Sequence, residues 1–167
     1  MDGSGAGRWA VRTLALALAY SATARLGWLF ATAQTGISPF WPPAGIALAT
    51  LVLGGRSLWP GVFLGALAGD LSLGISWPLA VTGACANTIE TVTAAWLLSR
   101  WPGFRPSLGG LRDLTALMTS GALASLLGAT VGTIGLMLFM RVTRSRTARR
   151  SSTSTWTRGC STPRRRW

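Results

Sequence analysis

This chain of 167 residues has no lysine and no histidine, so all sixteen of its basic residues are arginine, and only four residues are acidic. It has two cysteines, Cys85 inside an apolar segment and Cys160 in a basic tail. Two so placed make neither a disulfide framework nor a metal site. No phosphate-cradling glycine loop, metal-ligand set or nucleophile constellation occurs, so no enzyme motif and no cofactor is expected. Charge of either sign is scarce. Only 12% of residues are charged and 49% are hydrophobic, where an ordinary soluble domain is about 25% charged. The exclusive use of arginine reads as the codon bias of a GC-rich genome rather than as chemistry.

What is present is a series of near-continuous apolar stretches, with a mean hydropathy of +0.41 over the whole length. The pattern predicts helices over 13–33, 40–54, 57–74, 78–99 and 113–140, an all-α polytopic transmembrane bundle of about five helices. The first and fourth have the roughly 20 residues needed to cross a hydrocarbon core. The fifth is long enough to cross with tilt. The second is short, so 40–74 reads either as two spans or as a re-entrant hairpin, which is tolerated at depth only inside protein or beside water. The start also looks like a secretory signal, with Arg8, Arg12, an apolar run from Leu14 and Ala22-Thr23-Ala24. Apolar sequence continues to Ala31, however, so an uncleaved first span is expected.

Tryptophan–proline pairs punctuate these segments at Trp41-Pro42, Trp59-Pro60, Trp77-Pro78 and Trp101-Pro102. A tryptophan at headgroup level followed by a proline at a helix end suits a chain that re-enters a bilayer repeatedly. Proline lacks the N–H and fixes φ, so Pro42 is expected to close or precede a helix and Pro43 to take the first helical position. Gly45, Gly54, Gly61, Gly65, Gly69 and Gly83 read as close-packing sites, with Gly61, Gly65 and Gly69 on one helical face.

Arginine placement sets an orientation. Arg8 and Arg12 precede the first helix, Arg56 joins the second to the third, and Arg100, Arg105 and Arg112 join the fourth to the fifth. The alternate connections, 34–39 and 74–77, carry no charge, which puts the N-terminus in the cytoplasm. By that count, whatever follows Met140 lies outside. Yet 141–167 holds nine arginines, eleven serines or threonines and no acid. The segment reads as a basic disordered tail or as a product of reading out of frame. A lone basic tract is poor evidence for nucleic acid, which is not expected as a partner.

Arg25, Asp70, Asn87 and Glu90 fall within the predicted spans. Each is costly at depth and should face the bundle interior. Arg25 and Asp70 stand about 18 and 20 Å from the inner ends of their helices, so they are expected to form an intramembrane ion pair. Asn87 and Glu90 are three apart and share one face. They read either as interhelical glue or as a patch that binds a ligand or a proton. The Trp41–Pro43 segment likewise reads as an interfacial break or as the cap of an outward pocket beside a helix N-terminus.

The run Ser38-Pro39-Phe40-Trp41-Pro42-Pro43-Ala44-Gly45-Ile46-Ala47-Leu48, followed by Gly54-Gly55-Arg56-Ser57-Leu58-Trp59-Pro60-Gly61, resembles the membrane-associated sensor domain family, first class (MASE). Asn87-Thr88-Ile89-Glu90 with Ala94-Ala95-Trp96-Leu97-Leu98 is similar to the family's next helix, and Leu111-Arg112-Asp113-Leu114 to the start of the one after. The resemblance covers about 13–140. It implies a bacterial inner-membrane sensory input module, usually of about eight helices, placed ahead of histidine kinase or cyclic-di-GMP enzymes. No output domain is apparent, and without histidine no phospho-accepting histidine is possible. A truncated product is therefore expected. Trp41, Pro42, Pro43, Gly45, Asn87 and Glu90 are the candidate signal-sensing residues for an unknown small-molecule ligand. The lipid bilayer and a second copy, through helix contacts, are the other expected partners. A transporter or channel fragment, or a chain without function, are the alternatives, the first because short Gly/Pro-interrupted helices also build carrier sites.

Overall fold

The computed structural model describes residues 3–30 and 41–159, with side chains over 5–30 and 41–144. The 34–39 connection, the approach 37–40 to the first Trp-Pro pair, Cys160 and the terminal 164–166 arginine run lie outside the described residues.

Five α-helices follow one another, with no strand among the described residues. They are α1 (Gly3–Leu29), α2 (Pro42–Gly54), α3 (Trp59–Ser72), α4 (Trp77–Arg100) and α5 (Leu111–Gly159), with a 3₁₀ turn at Arg56–Leu58 before α3. Helix α1 packs on α3 and α2, α4 packs on α3 and α2, and α5 packs chiefly on α4. The core is small-residue and aliphatic. Leu16 and Tyr20 of α1 meet Ala47 and Leu51 of α2, Leu58, Val62 and Ala66, and Ala84 and Ala95 of α4.

The Trp-Pro pairs mark helix boundaries throughout. Prolines occupy the first turn of α2, α3 and α4, where the missing N–H has no intrahelical acceptor to lose. Trp101 instead ends α4 in an extended conformation, the one that a following proline favours. One detail differs from expectation. Helix α2 opens on Pro42 itself, so both prolines lie within it. Two consecutive N-terminal positions accept proline because neither needs a donor.

Three boundaries also differ. Helix α1 begins at Gly3 rather than near 13, since 3–12 holds no proline and the Gly3, Gly5 and Gly7 glycines weaken a helix without stopping it. The expected 57–74 helix is divided into the 3₁₀ turn and α3, after Gly55 at φ +97° ends α2. Helix α5 runs on to Gly159, so 141–159 is helical where a disordered tail was expected. Arginine favours helix, and no proline intervenes before Pro163.

Of these helices, Leu111–Arg144 is long and apolar enough by itself to cross a membrane, and Pro42–Gly54 is a shorter apolar helix. Helices α2 and α3, of 13 and 14 residues, extend only about 20 Å each, against a hydrocarbon thickness of about 30 Å. Helices α1 and α4 have the length, but their apolar runs are diluted by Ser, Thr, Asn, Glu and Arg.

The glycine seam between α1 and α3 is as the spacing predicts. A Cβ on Gly61 would lie 2.7 Å from the Thr13 carbonyl oxygen, and one on Gly65 2.8 Å from that of Ala17. Gly69 meets Ala24 at 3.4 Å. The close approach lets Ser21 donate across the seam to the Gly65 carbonyl at 2.9 Å. Gly45 is a correction. It is exposed, and nothing lies within 4 Å of where its Cβ would be, because it points away from α4 and α1 while Pro43 and Ala47 point in.

Candidate functional site

Polar side chains of four helices converge on one edge of α4. At 100° per residue, Gly83, Asn87 and Glu90 span about 60° of its circumference. The Asp70 carboxylate of α3 lies over Gly83, where an added Cβ would meet Oδ2 at 2.7 Å. Glu90, one turn beyond Asn87, leans the other way towards α5. Its carboxylate accepts a short hydrogen bond from the Ser125 hydroxyl and lies over Gly128, whose Cβ would stand 2.8 Å from Oε2. Asp70, Asn87 and Glu90 are all half-buried.

Tyr20 reaches this edge from α1. It is the chain's single tyrosine and is 2% exposed. Its hydroxyl lies within reach of the Trp41 indole at the start of α2 and within electrostatic reach of both Asp70 and Glu90. Burial of a phenol calls for a partner for its hydroxyl, and the Trp41 indole N–H is the donor nearby. Trp41 thus faces the polar interior as well as the helix boundary.

The expected ion pair does not form. Arg25 donates through Nε to the Ser72 hydroxyl at 3.3 Å. Heights along the helices match as expected, but azimuth decides. Asp70 and Ser72 are two residues apart and so point about 200° apart on α3. Ser72 continues the Gly61/Gly65/Gly69 face towards α1, while Asp70 faces α4. Among the described residues no hydrogen bond or ion pair engages the Asp70 carboxylate.

Of the sequence-predicted residues, the structure therefore gathers Trp41, Asp70, Asn87 and Glu90, with Pro43 buried beneath Trp41's turn and Pro42 half-buried. It leaves Gly45 and Arg25 aside. Tyr20, Ser125 and Gly128 were not foreseen. Gly128 and Gly132 stand four apart, and Gly135 follows three later, so the same spacing that exposed the first seam marks a second one. Gly132 faces Ala86, and Gly135 packs closely on Thr82. For Tyr20 the sequence carries one signal, a lone polar aromatic at mid-helix.

The end of the bundle that carries Arg56, Arg100 and Arg112 is built differently. Trp9 donates its indole N–H to the Ser57 carbonyl at 3.1 Å, Arg100 lies over the Trp96 ring, and Arg112 donates to the Pro102 carbonyl at 2.7 Å. The buried Asp113 accepts from the Arg105 backbone N–H at 3.1 Å, which anchors the connection before α5. A cavity of about 330 Å³ opens there between Arg56, Ser99, Trp101 and Phe104. Among the described residues no cluster of carboxylates and cysteine could hold a metal ion.

No curated protein and no solved structure matches the chain. Residues 12–159 match the MASE1 family model, and so, with its all-helical bundle and interior polar edge, the chain belongs to the MASE1 family of membrane sensory input domains.

Proposed function

We propose that this chain is a multi-pass inner-membrane input module, with its N-terminus in the cytoplasm, that senses a small cation or amine at the α4 polar edge. The observation that carries the reading is a pair of half-buried carboxylates, Asp70 and Glu90, with no arginine paired to either among the described residues and with Tyr20, Trp41 and Asn87 around them. A carboxylate at depth needs a partner or a proton. An alkylammonium supplies the charge, and two aromatic side chains suit its face. Because Glu90 also holds Ser125, occupancy at the edge competes directly with the α4–α5 contact. That contact is the element through which a signal leaves the site, and kinase or cyclic-di-GMP enzymes are the outputs such a module feeds.

The test is thermal unfolding of the purified full chain in neutral detergent, followed by tryptophan fluorescence across ammonium, methylammonium, linear diamines and alkali cations. A ligand that binds only the folded form raises the midpoint with concentration. At least one probe is expected to do so, and Asp70→Asn with Glu90→Gln should abolish the rise. Equal midpoints for every probe would remove the reading. Accumulation of a labelled amine inside proteoliposomes would favour a carrier instead, which the short α2 and α3 helices also suit.

A further inference from the structure

Between α1 and α2 the inner half of the bundle leaves a largely apolar groove of about 540 Å³, walled by residues that include Ala19, Ile46 and Leu53 and charged only at Arg12. A second recess of about 250 Å³ adjoins it at the inner end, shares Arg12, and adds Arg8 and Ser57. The Trp9–Ser57 hydrogen bond ties α1 to the 3₁₀ turn and so fixes the floor of this recess. Among the described residues no hydrogen bond or ion pair engages the exposed Arg12.

We propose that the groove and recess together form a binding site for one anionic phospholipid of the inner leaflet, its phosphodiester at Arg12 and an acyl chain along α1 and α2. The inference rests on the bilayer placement proposed above but not on the amine reading. Charge and apolarity are ordered along one axis, as in a lipid. The positive end lies level with the C-terminus of α2 and the 3₁₀ turn, where headgroups would sit, and the apolar end runs towards the bilayer centre. A soluble anion would use the recess and leave the groove empty. A neutral lipid would gain nothing from Arg12. Each basic residue beside an anionic membrane surface strengthens attachment about fivefold.

The experiment is native mass spectrometry of the full chain in neutral detergent, titrated with phosphatidylglycerol or phosphatidylcholine. Phosphatidylglycerol is expected to be retained at least fivefold better. Arg12→Gln should remove most of that preference. Ala19→Phe keeps the charge but fills the groove, and should weaken retention of both lipids. Arg105→Gln removes an exposed charge from the far connection and should change retention less than twofold. Three results would each overturn the proposal: no preference for the anionic lipid, an equal loss from Arg105→Gln, or displacement of the lipid by millimolar inorganic phosphate. Since the readout is lipid retention in detergent, its failure leaves the amine reading intact, and failure of the amine screen leaves this one.

Discussion

Replacing Gly65 with alanine would place a methyl carbon 2.7 Å from the Tyr20 Cβ, 2.8 Å from the Ala17 carbonyl oxygen and 3.0 Å from the Ala17 Cα. Two of these neighbours are backbone and the third is the first carbon of a buried side chain, so none can rotate away. The helices must separate by several tenths of an ångström. Overpacking of this kind costs about 1–3 kcal/mol. Separation also lengthens the Ser21–Gly65 bond, a contact worth about 0.6 kcal/mol in a membrane interior. Against this, alanine gains up to about 1 kcal/mol of helix propensity over glycine. The balance is a net loss of about 1–2 kcal/mol. Gly45→Ala is the internal control. With open space around it, the propensity term stands alone and the change is neutral or stabilising by up to about 1 kcal/mol. The two variants should therefore move in opposite directions in a reversible denaturation series in mixed micelles, read by helical circular dichroism. If they agree within about 0.5 kcal/mol, comparable to the error of additivity, the close approach of α1 and α3 is wrong.

Three further outcomes follow from the site. Asp70→Asn removes a charge that has no partner among the described residues, so the denaturation midpoint should rise or hold in the same assay. A fall would mean that Arg25 pairs with it after all. Ser125→Ala deletes the donor to Glu90 and should cost about 0.6–1.7 kcal/mol, the range for interhelical bonds in membranes, whereas Glu90→Gln keeps an acceptor and should cost less. An equal cost for both would show that the bond does not hold α4 to α5. Reporter fusions at Gly55 and Gly103 should signal from the cytoplasm, and those at Gly36, Gly74 and Met140 from outside. A cytoplasmic signal from Gly74 would reject the topology.

The helix order, the Trp-Pro boundaries and the α1–α3 seam were legible because each depends on spacing or on the backbone chemistry of proline and glycine. Asn87 and Glu90 were legible as a shared face for the same reason. Partners were not. Arg25 and Asp70 agree in height, but the neighbour that each meets depends on how α3 is rotated about its own axis. That rotation is set by Gly61, Gly65 and Gly69 docking on α1, a tertiary fact. Tyr20 escaped notice because a single tyrosine among Leu and Ala carries no period. Ser125 was hidden in a run of Ser, Thr and Gly where any hydroxyl can bond back to its own helix, as Thr119 and Thr130 do.

The two glycine seams also bear on how this chain can vary. Glycine is the smallest residue, so any mutation at Gly61, Gly65, Gly128 or Gly135 adds atoms to a place that has no room for them. Drift can enlarge these sites but never shrink them, and repair must come from trimming the neighbour opposite. Descendants of this sequence should therefore exchange size between facing positions, one side growing only where the other has become smaller.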